Sequence, residues 1–105
     1  MSKALPASQL KVNKFEYVED NGERYSLVPI PPLQVKECVT FDVQLGPDTG
    51  KVLIPFVTFE TPSATAQYTY TVTRQKEANK FVFLVHNISP LPTVQAVAAV
   101  YIKQL

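Results

Sequence analysis

The chain has 105 residues, a formal net charge of +1, and 46% hydrophobic residues. This length and composition indicate one folded domain and exclude a disordered chain. Ten Lys and Arg residues against nine Asp and Glu residues leave an excess of only one positive charge, too little for a nucleic-acid-binding surface, and no apolar run has the length of a membrane span. We therefore expect neither a nucleic acid nor a membrane as a partner.

The N-terminal segment, 1–10, lacks the apolar run of a signal peptide. We interpret it as a flexible arm and place the folded domain at 11–105. The sequence contains one cysteine, Cys38, so the chain cannot form a disulfide within itself. A single unpaired cysteine suits a reducing compartment, and we expect a cytoplasmic protein or one that is incorporated into a virion.

A hairpin is predicted near the start of the domain. Residues 11–19 and 24–28 are two candidate strands, and Tyr25 and Leu27 share one face of the second. Asn21 and Gly22 between them supply the positive φ angles of a tight turn. Three prolines in 29–32 then interrupt the pattern, which predicts a connection or a crossing at the edge of a sheet.

The stretch 33–45 has the clearest period-two alternation in the chain. Its apolar positions are Leu33, Val35, Val39, Phe41, Val43 and Leu45. Because successive side chains of a strand point to opposite faces, the alternation predicts one long strand with a dry and a wet side. Cys38 falls on the wet side.

Three further strands are predicted in the second half of the chain. Residues 51–60 form a strand that bends or lies at an edge, because Pro55 cannot donate to a ladder. Residues 67–73 alternate, with Tyr68 and Tyr70 on one face, and 81–85 are apolar on both faces, as in a central strand.

The last segment, 93–105, fits two structures. Its apolar residues match a helical stripe and its alanines favour a helix, whereas its β-branched residues Val94, Val97, Val100 and Ile102 favour a strand. We prefer the strand, and the helix remains open as an alternative. Together these elements predict an all-β protein, a single antiparallel β-sandwich of about seven strands that is immunoglobulin-like or jelly-roll-like. For the C-terminal segment a helix remains the alternative.

Residues suited to catalysis or metal binding are scarce. One His and one Cys cannot form a zinc site of the usual Cys/His type within one chain. Asp42 and Asp48, near the 46–50 loop, could offer oxygen ligands to calcium, but we interpret the loop as a polar turn. Cys38 and His86 have no flanking motif of a nucleophile and its base. We predict no catalytic residue, cofactor, metal or small-molecule ligand.

Two sets of residues are candidates for an interaction surface. The first is an aromatic set, Tyr68 and Tyr70 with Tyr17, Tyr25 and Tyr101, in which Tyr68 and Tyr70 could form a platform, although packing in the core or across strands is the favoured interpretation. The second is Val97, Val100 and Ile102, which lie either at the centre of the sandwich or against another chain.

These observations favour a non-catalytic structural or assembly protein that acts through oligomeric protein contacts. The profile is typical of small virion components such as capsid, decoration or tail proteins, and a homo-oligomer is expected. The alternative is a β-sandwich module that binds a ligand, a peptide or a carbohydrate through its loops or an edge strand.

Overall fold

The computed structural model describes residues 8–12, 16–17, 24–46, 50 and 52–105. These residues contain strands and loops, with no helix among them, so the protein is all-β as predicted. In chain order the strands are β1 (Ser8–Val12), β2 (Glu16–Tyr17), β3 (Arg24–Ile30), β4 (Cys38–Gln44), β5 (Leu53–Glu60), β6 (Tyr68–Gln75), β7 (Lys80–Asn87) and β8 (Ala96–Gln104).

The strands form two sheets of four. In sheet A the order is β1-β4-β7-β6, and in sheet B it is β2-β3-β8-β5. The six longer strands, three in each sheet, pair with one another in antiparallel fashion. The short β1 joins β4 in parallel, and the two-residue β2 joins β3 in antiparallel fashion. The segment predicted as one strand, 11–19, therefore contributes to both sheets, which is one reason why the count of about seven is not met.

The two sheets share one hydrophobic core. The strands alternate as a half-buried strand should, and their buried positions converge between the sheets. The rings of Phe41 and Phe83, on neighbouring strands of sheet A, stack with centroids 4.8 Å apart. The core consists of Val28, Ile30, Leu33, Val39, Phe41, Val43, Leu45, Phe81, Phe83, Val85, Ala96, Ala98, Val100 and Ile102.

Aromatic side chains close one side of this core. Phe59 on β5 and Tyr68 on β6 stack with ring centroids 4.8 Å apart, and Tyr70 meets Phe59 edge-on at 5.8 Å. Because β5 and β6 are the outermost strands of different sheets, these rings join the two sheets at their edges. The same topology confirms the edge position predicted for the strand that contains Pro55.

The prediction of one long strand over 33–45 is wrong for residues 33–37, because β4 begins only at Cys38. The preceding residues form a turn in which the Glu37 amide donates to the Gln34 carbonyl at 3.0 Å. The Glu37 carboxylate also accepts a hydrogen bond from the Gln34 amide at 2.8 Å, and Lys36 has a φ of 68°. A residue with left-handed backbone angles cannot continue a strand, so residues 33–37 do not form one despite their alternating sequence.

The C-terminal segment is the strand β8, and the helical alternative is not found there. The strand lies between β3 and β5, so both of its edges are paired. Likewise β7 lies between β4 and β6, which confirms the central position predicted for 81–85. In β8, pairing with two neighbouring strands overrides the helix propensity of the alanines.

Two predictions lie mostly outside the described residues. The hairpin turn at 20–23 is one of them. The other is the arm at 1–10, of which only residues 8–10 are described; these belong to β1, with Ser8 opposite Val39.

Candidate functional site

The outward faces of the two sheets differ in chemistry. Sheet A presents mainly polar groups there, including the exposed hydroxyls of Thr69, Thr71 and Thr73. On the same face the Lys80 ammonium forms an ion pair with the Asp42 carboxylate at 2.8 Å. This face has the composition expected of a surface in water.

Sheet B presents apolar groups to the outside. The side chains that alternate with its core positions are, from β3, Tyr25, Leu27 and Pro29; from β8, Val97, Ala99 and Tyr101; and from β5, Ile54, Phe56 and Thr58. We call these nine residues the apolar face. Leu27 is 55% exposed, Phe56 53% and Tyr101 41%. Contiguous apolar exposure on a sheet face marks an interaction surface more often than scattered single residues do.

An aromatic row crosses the apolar face. Tyr101 on the central strand lies opposite Tyr25 on one side and opposite Phe56 on the other. The rings of Tyr25 and Tyr101 have their centroids 5.7 Å apart and are tilted by 37°. Cross-strand aromatic pairs of this kind hold each other in place, so the row is a raised and ordered ridge.

A row of smaller side chains lies beside this ridge. Ala99 is flanked by Leu27 on β3 and by Thr58 on β5. Although it points outward, Ala99 is only 2% exposed, because the longer side chains around it shield its single methyl group. Because the side chains of Ala99 and Thr58 are shorter than the rings of the aromatic row, the apolar face has a ridge beside a shallow depression, whose floor is formed by the side chains that cover the Ala99 methyl group.

Opposite charges stand at the two ends of the apolar face. Glu60 is opposite Val97 at one end, and Lys103 is opposite Ile54 at the other. Both charged side chains are exposed. The seven residues from Val97 to Lys103 span about 20 Å at the usual rise of a strand.

The predicted interface residues of β8 are divided between its two sides. Val97 is half-buried and belongs to the apolar face. Val100 and Ile102 point the other way and belong to the core of the chain itself, with 0% and 1% exposure. Of these three, only Val97 lies where a partner could contact it without unfolding the protein.

Tyr68 and Tyr70 lie on the side of β6 that carries the half-buried Val72, opposite to its threonine side, and Tyr70 remains 37% exposed. Tyr68 is half-buried, and its ring packs on Phe59. Its hydroxyl oxygen is buried and has no hydrogen-bond partner. This placement agrees with the favoured interpretation of these residues as packing within and between the sheets.

The structure brings Cys38 and His86 together, which the sequence did not predict. They lie directly opposite each other on β4 and β7, and both are half-buried. His86 also lines a shallow cavity of about 390 Å³ with Lys36, Asn87 and Ile88. In the described part of the chain, however, no side-chain hydrogen bond joins the thiol to the imidazole, and no third group orients His86. A nucleophile and its base require both.

The residues considered for a calcium site do not converge in the described structure. The Asp42 carboxylate is occupied by Lys80, and Asp48 lies outside the described residues. Within residues 8–12, 16–17, 24–46, 50 and 52–105, no group of three or more His, Cys, Asp and Glu side chains could hold a metal ion.

Leu27 and Phe56 were not predicted as site residues. A signal for them was present, since 27–30 and 53–57 are apolar at both parities of the strand, and one parity suffices for the core. The second parity belongs to the apolar face.

Comparisons of the chain with protein-family models, with curated proteins and with solved structures find no match in any of the three. The described residues also contain no helix long and apolar enough to cross a membrane.

Proposed function

We propose that this protein is a non-catalytic structural or assembly protein that acts through oligomeric protein–protein contacts. In this proposal the apolar face of sheet B is the contact surface. The domain is an antiparallel β-sandwich of immunoglobulin-like or jelly-roll-like type. It works as a small virion component, such as a capsid, decoration or tail protein, either in the cytoplasm or within the particle.

The exposure of Leu27, Phe56 and Tyr101 on one sheet face carries the proposal. Removing a large apolar side chain from water contributes about 1.5–3 kcal/mol. Leu27, Phe56 and Tyr101 are already about half-buried in the monomer, so covering them completely contributes roughly half of that amount each, which offsets part of the cost of association. The polar outward face of sheet A offers no such gain, so contact through sheet B is favoured.

A second candidate function is a ligand-, peptide- or carbohydrate-binding module. The observation that favours it is the exposed aromatic row of Tyr25, Tyr101 and Phe56, because sugars and other flat ligands stack on aromatic rings. The row is continuous with the rest of the apolar face, and a broad apolar sheet face suits a protein partner better than a small polar one.

Charge substitutions on the two outward faces test the proposal. Leu27→Lys and Phe56→Lys place an ammonium in the apolar face, and Thr71→Lys is the matched control at an exposed strand position on sheet A. The assembly state of each variant is measured by native mass spectrometry and light scattering. Circular dichroism spectra verify that each variant is folded.

We expect Leu27→Lys and Phe56→Lys to dissociate the oligomer and Thr71→Lys to leave it intact. A wild-type chain that is strictly monomeric at high micromolar concentration would contradict the proposal. So would a Phe56→Lys variant that assembles like the wild type. Glycan-array binding that is lost in Tyr101→Ala and Phe56→Ala would favour the binding module instead.

A further inference from the structure

We propose that the occupant of the apolar face is a second copy of this chain, docked face to face with its β8 antiparallel to the first. The two-fold axis lies between sheet B of one copy and sheet B of the other, perpendicular to β8 and near Val100. This inference rests on the proposed function, because it names the partner and the geometry of the same surface. It is carried by two independent properties of the face, its relief and its charge.

The relief of the apolar face is complementary to itself in this orientation. An axis near Val100 exchanges positions 99 and 101 of the facing strands. The Tyr101 ridge of one copy then lies over the Ala99 depression of the other, and the reverse contact occurs on the far side of the axis. Close packing of this kind at the centre of an interface is what distinguishes a specific contact from unspecific adhesion.

The charges at the ends of the face favour the same orientation. With antiparallel strands, Lys103 of one copy lies over the end of the other copy that carries Glu60, and the symmetry makes this contact twice. The neighbouring strand that carries Glu60 is only about 4.8 Å to the side, within reach of a lysine side chain. Two opposite-charge contacts therefore lie at the rim of the dimer, where they select orientation and register.

The other two-fold arrangement lacks both advantages. An axis parallel to β8 would place Lys103 over Lys103 and, because it exchanges the positions of β3 and β5, Glu60 over β3 of the other copy beside Pro29, so both attractive contacts would be lost. It would also place the aromatic row of one copy on the aromatic row of the other and leave the two depressions facing each other. Like charges and mismatched relief disfavour this arrangement.

The size of the face sets the concentrations to be studied. Three strands of about 4.8 Å spacing and about eight residues of length give a projected area of roughly 400 Å². This is less than the about 800 Å² per partner of a standard stable interface. We therefore expect a dimer whose dissociation constant lies in the micromolar range, and sedimentation should be measured from about 1 to 500 μM.

The test is a charge exchange followed by analytical ultracentrifugation of the full chain. Glu60→Lys and Lys103→Glu each replace two attractive contacts by repulsive ones, so each should raise the dissociation constant roughly 3- to 30-fold. The double variant Glu60→Lys/Lys103→Glu restores opposite charges at both contacts and should return it to within about 3-fold of the wild type. Thr71→Lys is again the control, with no expected change.

A second variant tests the relief. Ala99→Leu fills the depression while adding apolar area, so it should weaken the antiparallel dimer. A dimer held by unspecific hydrophobic adhesion would be strengthened by the same change, and that result would overturn the inference.

The pattern of results separates this inference from the proposed function. If Phe56→Lys dissociates the oligomer but the double charge exchange gives no recovery, the contact face is correct and the antiparallel docking is wrong. If Phe56→Lys has no effect, the proposed contact face itself is wrong.

Discussion

The Nδ2 atom of Asn87, at the end of β7, donates a hydrogen bond to the carbonyl oxygen of Leu33, which precedes it by 54 residues. The same nitrogen lies 3.1 Å from the carbonyl oxygens of Gln34 and Leu91. Asn87 Oδ1 accepts a hydrogen bond from the Ser89 amide at 2.8 Å, and the side chain is 1% exposed. One buried amide therefore connects the turn before β4 with the loop after β7.

We expect Asn87→Ala to lower the free energy of unfolding by about 2–4 kcal/mol. The substitution removes the bonds that Nδ2 donates and leaves the buried Ser89 amide without its side-chain acceptor, whereas the Leu33 and Gln34 carbonyls keep the Thr93 and Glu37 amides as donors. Each lost bond contributes about 0.5–1.5 kcal/mol, and an unsatisfied buried group costs about 1–3 kcal/mol. Urea denaturation followed by circular dichroism measures the effect. Gln95→Ala, an exposed polar residue in the same part of the chain, is the control and should change stability by less than about 0.5 kcal/mol. Equal stability of the two variants would show that the Asn87 hydrogen bonds contribute nothing net.

The stack of Tyr68 on Phe59 gives a second prediction, because the Tyr68 hydroxyl is buried without a hydrogen-bond partner. Tyr68→Phe keeps the stack and removes the unpaired polar atom, so it should leave stability unchanged or raise it by about 1 kcal/mol. Tyr68→Ala removes the ring and should lower stability by about 2–4 kcal/mol.

Thermal and urea denaturation of both Tyr68 variants measure this difference, with the exposed Tyr101→Phe as control. A loss of more than about 1 kcal/mol in Tyr68→Phe would contradict the prediction, because it would show that the hydroxyl makes a favourable contact.

Sequence alternation was sufficient to predict the inward face of β4. Val39, Phe41 and Val43 are all fully buried, as the pattern required. The start of the strand could not be predicted in the same way. The Glu37 side chain accepts from the Gln34 amide, and this local turn replaces ladder pairing that the alternation alone would have allowed.

The candidate site could be predicted only in part, for a different physical reason. Strand β8 is apolar at both parities over 96–102, so periodicity cannot tell which of its sides faces the core. Which side of β8 faces the core depends on its strand pairing, in which Ser26 pairs with Val100 and Val100 pairs with Val57. These pairings join residues far apart in sequence, and no local pattern contains them. Val100 and Ile102 were therefore placed in one candidate set with Val97, from which the fold separates them.

Adjacent positions of β8 provide the last prediction, since Val100 and Tyr101 are neighbours in sequence but lie on opposite sides of the sheet. Val100 is fully buried in the shared core, whereas Tyr101 is 41% exposed on the apolar face. Val100→Lys should lower the free energy of unfolding by about 4 kcal/mol or more, since it buries an unpaired charge. Tyr101→Lys should change stability by less than about 1 kcal/mol and dissociate the oligomer.

Because both variants introduce the same side chain one residue apart, each serves as the control for the other. Amide chemical-shift dispersion in NMR spectra reports whether the fold persists, and light scattering at matched concentrations reports assembly. A folded Val100→Lys variant would mean that β8 turns its other side to the core. A Tyr101→Lys variant that unfolds would contradict the prediction, because it would mean that the aromatic row is needed for the fold of the monomer.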